Sequence, residues 1–221
     1  MVEFKNVSKS FGPIQALKDI TFNIQEGEFV FISGASGAGK TTILRLLIGQ
    51  FKPTSGEIII DGTPIHKMKK SAVPRLRQSI GTVYQDYRLL PERTIRENIE
   101  VALAVKSVPE KEWRERVDQV LNVVGLKDRA NLFPAQISGG ELQRASLARA
   151  LVINPKLILA DEPTGNLDWK NAESMLELFE KINKEGKTLI VTTHNQAILV
   201  KSKKRIIELE DGKIIHDQKS H

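Results

Sequence analysis

Gly34-Ala35-Ser36-Gly37-Ala38-Gly39-Lys40-Thr41 is the stretch that decides how this chain folds. It follows the apolar run Phe29-Val30-Phe31-Ile32 and precedes the helical run Thr42-Ile43-Leu44-Arg45-Leu46-Leu47-Ile48. Strand, glycine loop and helix in that order turn the G-x-x-x-x-G-K-T spacing into a phosphate-binding argument. The glycines permit positive φ and let backbone N–H groups close on a phosphate, while the helix start adds unpaired donors and a partial positive charge. Lys40 supplies a point charge to the β- and γ-phosphates, and Thr41 offers a hydroxyl to Mg²⁺. Every residue from Gly34 to Thr42 is therefore expected to contact a nucleoside triphosphate.

Two further groups of residues sharpen that expectation. Leu157-Ile158-Leu159-Ala160-Asp161-Glu162 puts two carboxylates at the carboxyl end of an apolar strand, the end that faces the ligand crevice of an open α/β sheet. Asp161 suits a hard cation, held through water, and Glu162 suits a group that accepts a proton from the water attacking the γ-phosphate or orients that water. A second acid beside the metal acid favours hydrolysis over simple binding. Ile137-Ser138-Gly139-Gly140-Glu141-Leu142-Gln143-Arg144 opens a helix and makes a second phosphate cradle. One nucleotide needs two helix starts only if they close on it from opposite sides. A symmetric head-to-tail pair, in which Ser138 of one copy meets the γ-phosphate held by the other, satisfies that need.

Walker A motif, S-G-G-E signature and Walker B acid pair, followed by Asn166-Leu167-Asp168 and by His194 after a strand, resemble the nucleotide-binding subunits of the ABC ATPases over essentially the whole chain. The resemblance implies an α/β fold: a P-loop NTPase core with a parallel sheet, an antiparallel β subdomain and an inserted helical subdomain. It implies ATP and Mg²⁺ as cofactors. Phe11 matches the aromatic that stacks on adenine, usually a tyrosine. Gln85 matches the residue that contacts Mg²⁺ and the attacking water and links the site to a membrane partner. Asp168 matches the loop that crosses the dimer interface, and His194 the switch that senses the γ-phosphate. Ser138, Gly139, Gly140 and Glu141 match the signature, with Ile137 in place of the usual leucine and Glu141 where many relatives carry glutamine.

The rest of the chain is organised around these motifs. Strands are expected at Val2–Val7, Ile20–Ile24, Phe29–Ile32, Glu57–Ile60, Ile80–Tyr84, Leu157–Ala160, Thr188–Thr192 and Ile206–Leu209, with a helix over Lys170–Lys184. Alternation of buried strands and helices predicts a parallel sheet with helices on both faces. One domain is expected, with 1–86 and 156–221 as catalytic core plus β subdomain and 87–155 as helical subdomain. Within the latter, Ser107 and Glu110 are read as a capping box, and Trp113, Val117, Val120, Leu121 and Val124 as the core face of a helix that Gly125 ends.

Composition sets outer limits. The 221 residues are 40% apolar and 27% charged, ordinary for a globular protein, and include no cysteine, which excludes disulfide and thiol chemistry. Neither a secretory signal nor an apolar run of the roughly 18 residues that span a bilayer is present. The charge of +6 gathers in His66-Lys67-Met68-Lys69-Lys70 and Lys201-Ser202-Lys203-Lys204-Arg205, neither interleaved with aromatics, so no nucleic-acid partner is expected.

Within the family, Asp161 to Asp168 resembles the group serving lipoprotein release, macrolide export and cell division. Gln85-Asp86-Tyr87-Arg88-Leu89-Leu90-Pro91-Glu92-Arg93-Thr94 with Glu97-Asn98 resembles the cell-division branch. That resemblance implies a homodimer on ATP binding and an integral membrane partner like FtsX, at the division site on the cytoplasmic side of the inner membrane. Peptidoglycan hydrolases would be the regulated target. Leu89 and Leu90 are read as apolar anchors for the partner, or alternatively as core of the helical lobe. An exporter ATPase shares every catalytic residue; a soluble nucleic-acid protein of the family fits the chain less well.

Overall fold

The computed structural model describes residues 1–218. Ten strands and seven α-helices follow one another as β1 (Val2–Phe11), β2 (Ile14–Ile24), β3 (Phe29–Gly34), α1 (Lys40–Leu47), β4 (Ser55–Ile60), β5 (Thr63–Pro64), α2 (Val73–Ser79), β6 (Ile80–Val83), α3 (Ile95–Val105), α4 (Trp113–Val123), α5 (Gly139–Leu151), β7 (Leu157–Asp161), α6 (Trp169–Lys184), β8 (Thr188–Thr193), α7 (Gln196–Ser202), β9 (Arg205–Glu210) and β10 (Lys213–Gln218). They form an antiparallel sheet ordered β2-β1-β4-β5 and a second sheet ordered β10-β9-β3-β8-β7-β6. In the second sheet only the β9–β10 pair is antiparallel.

Side chains on β3, β7 and β8 alternate between two cores, as period-two geometry requires. Phe29, Phe31, Ile158, Ala160, Leu189 and Val191 pack with residues of α3 to α7. Val30, Ile32, Leu157, Leu159 and Ile190 pack with α1 and the antiparallel sheet. Both faces of the parallel sheet are thus covered, which is why its strands read as unbroken apolar runs. One cover is mainly α1 plus a sheet, a mixed layer that strand and helix alternation alone does not reveal.

Two contacts hold the antiparallel sheet against the other. Arg205 is buried; its guanidinium meets Asp217 twice, at 2.7 and 2.8 Å, Glu28 at 2.8 Å, and the carbonyl of Asn23 on β2 at 2.8 Å. Removing one partner of such a buried cluster costs about 3–5 kcal/mol. The β9–β10 turn also reaches β2, where Lys18 N–H donates to Gly212 O at 2.7 Å. Ala16 is thereby fixed beside the glycine loop.

Between β6 and β7 the chain is helical. Val117, Leu121 and Val124 are buried, Trp113 and Val120 half-buried, and Gly125 takes φ +68° after α4, as the pattern indicates. The expected capping box at Ser107 and Glu110 is absent: Ser107 lies at φ +57°, and α4 begins only at Trp113. Pro109 instead precedes a short 3₁₀ turn, Glu110–Glu112. Capping boxes occur at Thr94 with Glu97, opening α3, and at Ser138 with Glu141, opening α5. Both satisfy the S/T-x-x-E spacing equally well, so the spacing does not rank three candidates.

Candidate functional site

The glycine loop owes its shape to close approaches that a side chain would block. Gly39 sits at φ +108°, and a Cβ there would come within 2.8 Å of Ala16 O and 2.7 Å of Leu17 Cδ2. Gly34, at φ +141°, would meet Leu209 O at 2.3 Å. The loop is therefore wedged between β2 and β9, and α1 starts at Lys40 with no side-chain cap. Its first N–H groups stay available for an anion.

Lys40 is 6% exposed. Its Nζ donates to Gly34 O at 2.8 Å and Ala35 O at 3.0 Å, and lies 3.2 Å from Glu162 Oε1. Glu162 adopts φ +47°, an uncommon conformation for a residue with a side chain. It is held there by its own N–H, which donates to Thr192 O at 3.2 Å and Thr192 Oγ1 at 3.0 Å. The other carboxylate oxygen faces His194: Nδ1 lies at 2.9 Å and the backbone N at 3.3 Å. A carboxylate oxygen only accepts, so Nδ1 carries the hydrogen in this contact. Asp161 Oδ1 accepts from Thr41 Oγ1 at 3.0 Å and from Thr192 Oγ1 at 2.8 Å.

Lys40, Thr41, Glu162 and His194 thus converge and line a cavity of about 510 Å³ together with Ala35, Ser36, Gly37, Gly39, Thr42, Gln85 and Ala16. Gly34, Ala38, Asp161 and Thr192 lie outside the lining; Asp161 and Thr192 reach it through Thr41 and Glu162. The cavity presents a buried ammonium, the first N–H groups of α1 and, beyond them, a carboxylate hydrogen-bonded to an imidazole, a set suited to a phosphate-bearing ligand. Thr192 is the member that motif reading missed. A threonine inside an apolar strand is its only sequence signal. A groove of about 550 Å³ between α4, α5 and the end of α6 contains none of the expected site residues.

Several expected residues stand apart from this cavity. Phe11 does not line it; the residue is 39% exposed, its ring edge-on to Phe51 at 5.0 Å, with Lys9 Nζ 4.8 Å from the ring centroid. Ser138 to Glu141 are also outside the lining. Their turn is closed on itself: Ser138 N and Oγ donate to Glu141 Oε2 at 2.9 and 2.8 Å, and Arg129 Nε lies 2.9 Å from Glu141 Oε1. Asp168 caps α6, accepting from Asn171 N at 2.9 Å and Nδ2 at 2.7 Å. The Asn171 side chain packs under the signature turn, where a Cβ on Gly140 would meet its Oδ1 at 2.4 Å. The signature turn and the Asp168 loop are therefore neighbours.

The Gln85 to Asn98 string is ordered by groups the motif reading did not weigh. Tyr87 and Arg88 both have positive φ, and the Arg149 guanidinium donates to their carbonyls at 2.8 and 2.5 Å. Asn98 is fully buried; its Oδ1 accepts from Leu90 N at 2.6 Å, and its Nδ2 donates to Leu90, Arg93 and Thr94 carbonyls at 3.0 Å each. Leu89 is half-buried against the helical core and Leu90 is exposed, so the two leucines do not act as a pair.

The hydrogen bonds from Ser138, then the Arg129 guanidinium, lower the Glu141 carboxyl from the ordinary 4.5 to about 2. The folded state therefore favours the carboxylate. Its contribution to stability is complete above 4.5 and disappears as pH falls through about 2. Glu141→Gln, which cannot titrate, should show a stability deficit relative to the parent that shrinks across that window in denaturant unfolding. A deficit independent of pH would separate Glu141 from this charge network.

The chain matches the family model described as ABC transporter over residues 17–165. It is 42% identical over 219 residues to the cell division ATP-binding protein FtsE of Streptococcus pneumoniae, covering 99% of this chain and 95% of that one. Identity to FtsE of Escherichia coli K12 is 43% over 213 residues, 96% of each chain. Among solved structures, the dimeric post-hydrolysis state of the ATP-binding cassette MJ0796 bound to ADP and Pi is similar at a TM-score of 0.90 and 39% identity, covering 100% of this chain and 99% of that one. With the strand–loop–helix cradle and its paired acids in place, these similarities lead to one conclusion: the chain belongs to the ABC transporter family, as one of its ATP-hydrolysing subunits.

Proposed function

We propose that this protein is the ATPase subunit of a bacterial cell-division complex, dimerising around Mg-ATP and driving an FtsX-like membrane partner that governs peptidoglycan hydrolases. The observation that supports the division role is the 40–43% identity, over nearly the full chain, to proteins named FtsE. No helix of the described residues is long and apolar enough to cross a membrane, so the reading needs a separate membrane partner and a peripheral place at the cytoplasmic face of the division site.

In this reading Lys40 and the Gly34 to Thr42 backbone hold the β- and γ-phosphates. Phe11 offers a ring face to adenine beyond the phosphate cavity. Among the described residues no three His, Asp or Glu side chains cluster as a metal site. Mg²⁺ nevertheless fits the oxygen set of Thr41, Gln85 and, through water, Asp161, because it keeps several waters and commonly binds through one or two carboxylates plus substrate phosphates. When bound it neutralises phosphate charge. Glu162 takes the proton from water, and His194 holds its carboxylate in place. The Lys40–Glu162 ion pair ties up this base until phosphate oxygens compete for the ammonium. Ser138 to Glu141 and Asp168 act on the nucleotide of a second copy, since their turns lie outside their own chain's cavity.

The partner's binding site is an apolar groove of about 450 Å³ along the free edge of β6, bordered by Ile80, Tyr84, Val101, Val105 and Ile153. Val105 is 58% exposed there, a better anchor than the half-buried Leu89. Residues 87–155, which carry the groove's α3 and α5 walls, act as a helical subdomain that links partner and signature turn. A transporter subunit, such as that of an exporter, is the second reading, supported by the 40% identity to MJ0796, described as a bacterial ABC transporter cassette; only the partner distinguishes the two.

Two outcomes test the proposal. Glu162→Gln should lower kcat by about a hundredfold or more while trapping an ATP-bound dimer, because binding survives and proton transfer fails. A variant that stays monomeric under saturating Mg-ATP contradicts it. Val105→Asp should retain ATP binding and fold but fail to co-purify with a four-helix FtsX-like protein from solubilised membranes. Unchanged co-purification rejects the groove, and recovery of an export permease in its place rejects the division role.

A further inference from the structure

Trp169 is the first residue of α6 and is 48% exposed. The turn that carries it is braced on two sides. Asn166 Nδ2 donates to Gln85 O at 3.2 Å, and Asn171 is held by Asp168 while packing beneath Gly140. Phe133, 42% exposed, stands on the run leading to Ser138. By contrast Trp113, the other tryptophan, is half-buried and donates its Nε1–H to Val108 O at 2.9 Å.

The polar groups of this region are already satisfied within their own chain. Ser138, Glu141 and Asp168 all hold local hydrogen bonds, so docking them on another molecule exchanges partners and adds little net adhesion. A seam built from them needs an apolar element. A large exposed aromatic on a rigid turn supplies one at small entropic cost, and such residues dominate interface energies.

We infer that Trp169 is an apolar anchor of the ATP-dependent seam, covered by a second copy of this chain, with Phe133 at its margin. The inference rests on the dimer reading above and identifies the residue that provides adhesion. Second-copy coverage follows from continuity: Trp169 directly follows Asp168, whose loop neighbours the signature turn through Asn171, and it does not line the β6 groove. In a two-fold pair the residue counts twice, once from each copy.

The test uses Trp113→Phe with Glu162→Gln, which leaves Trp169 as the only tryptophan, and reads mass by light scattering beside indole emission. Mg-ATP should double the mass, shift the emission to shorter wavelength and reduce acrylamide quenching. Adding Trp169→Ala should raise the protein concentration for half-dimerisation about 30-fold or more, while Trp169→Phe restores most of it. A dimer with unshifted emission, or Trp169→Ala assembling at the parent concentration, overturns the anchor and leaves the dimer reading intact. An unchanged mass with Mg-ATP overturns both.

Discussion

A buried ammonium must have anions or strong dipoles around it, and Lys40 makes that requirement the organising constraint of the molecule. Leaving such a charge uncompensated costs several kcal/mol even after relaxation. Here two loop carbonyls and the Glu162 carboxylate meet it. The arrangement holds only while β3, β7 and β8 stay in register, since Gly34, Glu162 and the supporting Thr192 come from their three ends. The glycine loop in turn keeps its conformation because β2 and β9 crowd the positions where side chains would stand. Fold and site are therefore one problem: the sheet order that buries the apolar strands also brings the charges together.

The same constraint links chemistry to movement. Gln85 lines the phosphate cavity, and its carbonyl accepts from Asn166 in the loop that ends at Asp168. Directly after Gln85 the chain enters the string pinned by Arg149 and Asn98. Arg149 belongs to α5, the helix that the signature turn opens. An unbroken run of contacts thus joins the cavity to the signature turn and to the β6 groove, and in the proposed reading it would carry a change at the phosphates to both. A bound partner responds to it only by binding the two states with different free energy.

Much of this was legible in the residues. G-x-x-x-x-G-K-T between an apolar strand and a helix specifies a backbone shape, and Asp161-Glu162 after four apolar residues specifies a strand end, so both read cleanly. The buried strands β3, β6, β7, β8 and β9 and the core face of α4 read cleanly too, because burial leaves an apolar or periodic trace. By contrast β1 and β2 extend to Phe11 and back to Ile14, beyond the expected Val2–Val7 and Ile20–Ile24, through residues that are mostly not buried. Other features depend on partners distant in sequence. Thr192 joins Asp161 and Glu162 only once β7 and β8 pair, and Asn98 becomes a buried clamp only when α3 folds back on the Leu90 to Thr94 loop. The split between Leu89 and Leu90 is likewise tertiary. At Ser107 a matching local spacing lost to a left-handed turn, while the same spacing at Thr94 to Glu97 and at Ser138 to Glu141 does cap α3 and α5.

ATP binding by Lys40→Ala, followed by titration calorimetry against the parent protein, tests the central constraint most directly. Removing the ammonium should weaken ATP affinity by about a hundredfold or more, since a charge-assisted contact to the phosphates is lost inside a site built around it. Affinity equal to that of the parent would show that the nucleotide does not rest on Lys40 and would contradict the account.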